Sequence, residues 1–335
     1  MSKSGITESE KNCAFIGIEN ERRGITIMDE MMLLDILKLN YGIDSPSLEF
    51  LREGGSHTYI VNGKIKYLLK VIGSAFSDTA RQSVAIMRYL EKKGFPVPKT
   101  MLTKSGESIF ETEVDGEMKL IVLMEFIDGD EPELESCAAE VGALVGRFHQ
   151  LMEEYPVELV SHGKEFFIDR YLNFLSKKNY PRIAEYEELG GRLWDKVKAL
   201  PQGLCHGDLH RGNLIQRADG LIYLVDFDTA CRAPKMFDLM VMCDMTNYFT
   251  LQQKDIEETK EVYQKFLLGY SKYHKLSNEE IISFPYWVAI RHFQLQATIL
   301  EIHGVDCIDE GFIDGQLYWL NKWQEVMEDF LRSRQ

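Results

Sequence analysis

One stretch constrains this chain more than any other. His206-Gly207-Asp208-Leu209-His210-Arg211-Gly212-Asn213 is followed, after the apolar run Leu221-Ile222-Tyr223-Leu224-Val225, by Asp226-Phe227-Asp228. Gly207 and Gly212 oppose a helix, so Asp208 falls on a loop after the apolar stub Gly203-Leu204-Cys205. The same glycines argue against reading His206 and His210 as a helical zinc pair. Asp226 ends a buried-strand pattern, where a carboxylate is costly unless it meets a cation or several donors. Asn213 offers an amide oxygen that ligates a metal without adding negative charge. Taken singly, Asp208 is a turn-capping residue and Asn213 a turn residue after Gly212. Taken together, they supply what phosphoryl transfer from a nucleotide needs: a group to take or orient a hydroxyl proton, and oxygen ligands for Mg²⁺.

A chain of 335 residues is too long for one small core and suits two lobes. Its 45% hydrophobic and 27% charged content is that of an ordinary soluble globular protein. The net charge of −15 argues against general affinity for nucleic acid or anionic membranes, and tilts slightly toward a cationic substrate. Six cysteines at 13, 137, 205, 231, 243 and 307 form no Cys-x-x-Cys pair. The first residues lack the apolar core of a signal peptide, and the most apolar run, Leu120 to Ile127, is too short to span a bilayer and contains Glu125. These features imply a cytoplasmic protein with reduced thiols. The sequence carries no signal of oligomeric state.

Residues 1–24 read as a polar arm and Met28 to Leu39 as a short amphipathic helix. Asn62-Gly63 between two β-rich runs predicts a hairpin, Thr79 to Lys93 a helix ended by Gly94, and the runs 108–114 and 119–127 two strands around Asp115-Gly116. Beyond Glu133 helices are expected at 138–152, 165–178, 184–200, 255–274, 278–301 and 309–334, with a β-rich interlude at 204–226. Lys70 lies in the otherwise apolar strand Tyr67-Leu68-Leu69-Lys70-Val71-Ile72, where a charge needs a partner such as nucleotide phosphates. Just upstream, Gly54-Gly55-Ser56 would let backbone N–H groups approach phosphate, although a Gly-Gly pair also makes ordinary turns. Among the C-terminal helices, Arg291 and Asp244 are candidates for an acceptor pocket, since an unpaired buried Arg is costly.

The spacing of Asp208, Asn213 and Asp226 resembles the catalytic loop and Asp-Phe-Gly triplet of protein kinases. His-Gly-Asp in place of His-Arg-Asp, and Asp-Phe-Asp in place of Asp-Phe-Gly, resemble the aminoglycoside phosphotransferase and choline kinase family. The resemblance covers most of the chain after about residue 45 and is strongest over 204–240. It implies an α+β, protein-kinase-like fold: a nucleotide-binding lobe at 25–128 and a helical lobe at 129–335 holding the catalytic loop and the acceptor site. It further implies ATP, or GTP in its place, with Mg²⁺; Asp208 as catalytic base; Asn213 and Asp226 as metal ligands; and Glu125 C=O with Ile127 N–H reading the adenine edge. In that family Asp238 would brace the catalytic loop, and His206 would be structural. One departure concerns the helix glutamate that pairs with the strand Lys. Ala80 to Arg88 contains no acid, so Gln82 or Asp78 would have to substitute.

The implied activity is phosphorylation of a hydroxyl on a small molecule: an aminoglycoside, a choline-like amino alcohol, homoserine or a sugar. Two other readings stay open. A kinase-like binding protein without turnover fits the missing glutamate. A metallophosphatase fits Gly-Asp-Leu-His, although the later motifs of that class are absent from the sequence.

Overall fold

A computed structural model describes residues 28–53 and 55–332. The expected polar arm at 1–24 lies outside them. The described residues fall into two compact units: those up to 78 with 101–124, and 79–100 with those from 125 onward.

In the first unit, helix α1 (Glu30–Ile36) starts where the Asp29 carboxylate accepts a hydrogen bond from Met31 N–H. It widens into a π-turn (Leu37–Tyr41) and stops at Gly42, whose φ of 73° suits glycine. A five-stranded sheet follows, in the order β1-β2-β3-β5-β4. Its strands are β1 (Ser47–Glu53), β2 (Ser56–Asn62), β3 (Tyr67–Gly73), β4 (Phe110–Val114) and β5 (Glu117–Glu125). The pairs β1/β2, β2/β3 and β4/β5 are antiparallel. The expected hairpin at Asn62-Gly63 is present, but its loop runs from 63 to 66. The turn at Asp115-Gly116 has φ of 52° and 78°, the paired positive values of a tight hairpin. Leu37, Val61, Leu69, Val71, Ile121 and Leu123 are buried in this unit's core.

The second unit takes in most of α2 (Ser77–Lys92), which ends at Gly94 with φ of 67°. Its other α-helices are α3 (Leu134–Met152), α4 (Arg170–Lys177), α5 (Ile183–Val197), α6 (Met236–Cys243), α7 (Gln253–Tyr270), α8 (Asn278–Ile282), α9 (Phe284–His303) and α10 (Glu310–Arg332). Helices α3 and α7 cross at glycine contacts. A Cβ on Gly142 would lie 2.0 Å from Phe266 O, and one on Gly269 1.7 Å from Ala139 O. The single helix expected over 278–301 is two. Ser277 and Glu280 form a reciprocal cap on α8, and Pro285, which cannot donate to the preceding turn, opens α9. Helix α6 is buried all round and has no polar face, so no period announced it. Two short antiparallel pairs, β6 (Gln202–Cys205) with β9 (Cys231–Pro234) and β7 (Leu214–Gln216) with β8 (Ile222–Leu224), carry the loops of interest.

Candidate active site

Strand pairing explains why the three key residues converge. β7 and β8 are antiparallel with Leu214 opposite Leu224, so the residues just outside the pair, Asn213 and Val225, are also brought together. Val225 N–H donates to Asn213 O at 3.0 Å, and Asp226 is the next residue. Asn213 Nδ2 donates to the backbone oxygen of Asp208 at 2.8 Å. That bond ties the loop end to its start and uses the amide's donor, so that Asn213 Oδ1 can serve only as an acceptor. Asp226 adopts φ 69° and ψ 66°, a left-handed conformation that costs a non-glycine residue about 1–3 kcal/mol and is characteristic of functional positions. An amide oxygen beside a carboxylate is a hard-oxygen donor set that fits Mg²⁺.

The loop is held from beneath by one buried carboxylate. Asp238, on α6 and wholly buried, accepts from His206 N–H at 2.6 Å and Gly207 N–H at 3.0 Å. His149 on α3 donates from Nε2 to the same carboxylate at 3.0 Å and accepts from Tyr270 O–H at 2.7 Å. Burial lowers the His149 pKa and keeps the ring neutral, which this donor–acceptor pattern requires. His149, Cys205 and Asp238 are close enough to suggest a metal cluster. Their hydrogen bonds explain the grouping instead: burial pushes the Cys205 thiol well up, and its S–H points to the Ala233 carbonyl at 3.5 Å. His206 Nε2 donates to Val225 O at 2.9 Å, and Thr229 Oγ1 donates to His206 O at 3.2 Å. The catalytic loop and the Asp-Phe-Asp segment are therefore stitched together. Gly207 has φ of 87°, and a Cβ there would sit 2.1 Å from Thr229 O, so only glycine fits.

Asp208 is surrounded by cationic or protonatable side chains. His210 Nε2 lies 3.4 Å from its Oδ2, and Arg291 Nη2 3.5 Å from its Oδ1. Burial works to raise the Asp208 pKa, but the His210 hydrogen bond and the Arg291 charge outweigh it and hold the carboxyl below its ordinary value. Asp208 is thus ionised at neutral pH, suited to orient a hydroxyl and to accept its proton as charge develops. Its side chain is 39% exposed and open to a small molecule.

The structure brings Asp208, Asn213, Asp226, Arg291 and Asp244 into one unit. Asp244 ends α6, accepts from Thr246 N–H and Oγ1, and feels the Arg291 charge. Glu125 and Ile127 belong to the same unit; Glu125 N–H donates to Lys99 O at 2.8 Å. Lys70, Gly55 and Ser56 belong to the first unit, and Gly54 lies outside the described residues. Lys70 pairs across the sheet with Thr58, and Ser56, Thr58 and Lys70 share one sheet face. Gln82 donates its amide to Ala230 O at 2.8 Å, so that nitrogen serves the segment after Asp-Phe-Asp, while Asp78 sits exposed in the first turn of α2. Two site features escaped the sequence reading: the His149 buttress under Asp238, and the direct Arg291–Asp208 pairing. A histidine in an apolar helix was the only signal of the first.

This arrangement, with a five-stranded sheet and a helical unit, defines the protein-kinase-like α+β class. The model of the phosphotransferase enzyme family matches residues 47–276. The chain therefore belongs to the phosphotransferase enzyme family and is an enzyme of the phosphoryl-transfer class. It is 23% identical over 234 residues to homoserine kinase of Methylobacillus flagellatus, covering 68% of this chain and 70% of that protein. Its fold is similar to that of the amicoumacin kinase hAmiN in complex with AMP-PNP, Ca²⁺ and Ami, with TM-score 0.69, 21% identity and coverage of 90% of this chain and 94% of that one. It is equally similar to a microcompartment-associated aminopropanol kinase, with TM-score 0.69, 17% identity and coverage of 91% and 98%. Family membership displaces the metallophosphatase reading.

Proposed function

We propose that this enzyme is an ATP- and Mg²⁺-dependent kinase that phosphorylates a hydroxyl group of a small molecule. The observation that carries the reading is the convergence of Asp208, Asn213 and Asp226, held by the Asn213–Asp208 bond and the β7/β8 register. Relatives named homoserine kinase, and neighbours in fold that act on amicoumacin or aminopropanol, support a small hydroxylated acceptor.

In this reading Asn213 Oδ1 and the Asp226 carboxylate hold the metal, and Mg²⁺ when bound supplies positive charge against the phosphate oxygens. Lys70, with the backbone of Gly54, Gly55 and Ser56, binds phosphate, and Glu125 C=O with Ile127 N–H takes the base edge, with GTP as a second donor to be tested. Asp208 orients the acceptor hydroxyl and takes its proton; His210 and Arg291 hold that carboxylate ionised beforehand. Asp238 keeps the loop in place and touches no reacting atom. A nucleotide-using enzyme with free thiols at Cys137, Cys205, Cys231, Cys243 and Cys307 suits the cytoplasm.

Thermal melts with ATP or GTP, with and without Mg²⁺, test the reading. Saturating nucleotide at about 100 times Kd stabilises by about 2.7 kcal/mol, so a Mg²⁺-dependent rise in Tm is expected. No shift with either nucleotide would contradict it. Nucleotide binding without turnover on any acceptor would favour the silent kinase-like alternative.

A further inference from the structure

Arg291 stands beside the carboxylate that is to take the acceptor's proton, and its surroundings fix it there. Its side chain, on α9, is only 19% exposed. Its Cζ lies 5.9 Å from the centroid of the buried Phe237 ring, and its Nη1 donates to Gln294 Oε1. Gln294 Nε2 donates in turn to Thr298 Oγ1 at 3.3 Å. Burying a cation in this way is costly unless its donors are well matched.

Asp208 by itself matches them poorly. A committed Arg–carboxylate pair forks in two bonds of about 2.7–2.9 Å. Among the described residues Arg291 meets Asp208 once, Nη2 to Oδ1 at 3.5 Å, while His210 Nε2 lies 3.4 Å from Oδ2. A guanidinium carries five N–H donors, and Asp208 and Gln294 together engage only part of that set. The spacing of phosphoryl transfer supplies a further acceptor. A hydroxyl served by Asp208 lies about 2.6–3.2 Å from its carboxylate, and a reacting phosphorus about 3–3.5 Å from that hydroxyl. The γ-phosphoryl oxygens thus arrive within the span of a guanidinium that already touches the same carboxylate.

The movement of charge points the same way. Before transfer, Asp208 offsets the Arg291 charge. Once Asp208 holds the hydroxyl proton, that offset is gone, and the negative charge in reach is spread over the three equatorial oxygens of the phosphoryl group. The attraction between Arg291 and that group is therefore greater in the transition state than in the ground state, which is the condition for lowering the barrier.

We propose that Arg291 is a catalytic residue, whose guanidinium shifts from Asp208 to the γ-phosphoryl oxygens as the phosphoryl group passes to the acceptor. The inference rests on the kinase reading above and adds a residue to it. The hydroxyl oxygen bonds to the γ-phosphorus, the bond to the β–γ bridging oxygen breaks, and its electron pair leaves with the nucleoside diphosphate. Asp208 receives the hydroxyl proton, and Arg291 stays protonated throughout.

The test uses the full chain and aluminium fluoride, a mimic of the phosphoryl group in transit, with water in the acceptor's place. Calorimetry gives the affinity for Mg·ADP with and without aluminium fluoride. In the wild type, aluminium fluoride should tighten Mg·ADP binding by roughly tenfold or more, as expected of a site complementary to the transition state. Arg291→Lys and Arg291→Met should bind Mg·ADP alone within about twofold of the wild type, which also checks their folding, and should lose the tightening. Asp208→Asn separates contact from indirect action, because it removes the charge that Arg291 would otherwise only hold in place. The tightening should survive in Asp208→Asn and vanish when Arg291→Met is added. Tightening that persists in Arg291→Met, that is already lost in Asp208→Asn alone, or that is absent from the wild type would overturn the inference and leave the kinase reading standing. If the wild type does not bind Mg·ADP at all, the kinase reading itself fails.

Discussion

At the residue scale the site is built on opposed charges whose roles separate by mutation. Asp208→Ala removes the group proposed to orient the hydroxyl and leaves Asn213 and Asp226 in place. Steady-state kinetics should show kcat falling by roughly 10²–10⁴-fold with nucleotide affinity little changed; wild-type turnover in that variant would end the assignment. Asp244 makes a second, pH-dependent case. Its folded pKa of about 6 lies above the ordinary carboxylate value of 3.8, so the protonated form is the one favoured by folding. That contribution is fully present below the ordinary value and is lost as pH rises through about 6. Asp244→Asn should therefore match the wild type in Tm near about pH 4.5 and exceed it near about pH 7.5, as read by melts at both. An equal difference at the two values would show that burial does not penalise this carboxylate. The legible residues were those close together in sequence. Asp208 and Asn213 share one loop, and Asp226 ends the next strand, so spacing alone exposed them. Arg291 was visible only as a charge in an apolar helix. Its partner, Asp208, is 83 residues away, and no local pattern announces a contact at that range.

At the element scale, short strands and one buried helix do the positioning. The antiparallel register of β7 and β8 sets Asn213 beside Asp226, and β6 delivers His206 to the Asp238 carboxylate on α6. Helix α6 was illegible for a physical reason: a helix buried on every side carries no amphipathic period. The break between α8 and α9 could have been read from Pro285, but the apolar pattern on both sides of it concealed the interruption. The crossing of α3 and α7 matters to the site, because α3 supplies His149 and α7 supplies Tyr270 to the chain of hydrogen bonds under the loop. Gly269→Ala, whose Cβ would lie 1.7 Å from Ala139 O, should force those helices apart. Denaturant unfolding should show a loss of about 1–3 kcal/mol or more. Unchanged stability would mean that the glycine contact is not what sets the crossing.

At the scale of the whole molecule, the sequence made the α+β class and the alternation of elements readable, because turn signals and periods were strong at 62–63, 94 and 115–116. The compact grouping of 79–100 with the helical part was not readable, since such grouping is decided by tertiary contacts and not by order along the chain. Among the described residues no helix is long and apolar enough to cross a membrane. The net charge of −15 says little about the acceptor, because surface charge is screened over about 8 Å at physiological salt.

Asn213 and Asp226 are the residues proposed to hold the metal through which a nucleotide is bound. Calorimetric titration of ATP into the wild type and into Asp226→Ala, each with and without Mg²⁺, tests that assignment most directly. Wild-type affinity should depend on Mg²⁺ and that dependence should vanish in the variant. Identical Mg²⁺-dependent binding in both proteins would contradict the assignment.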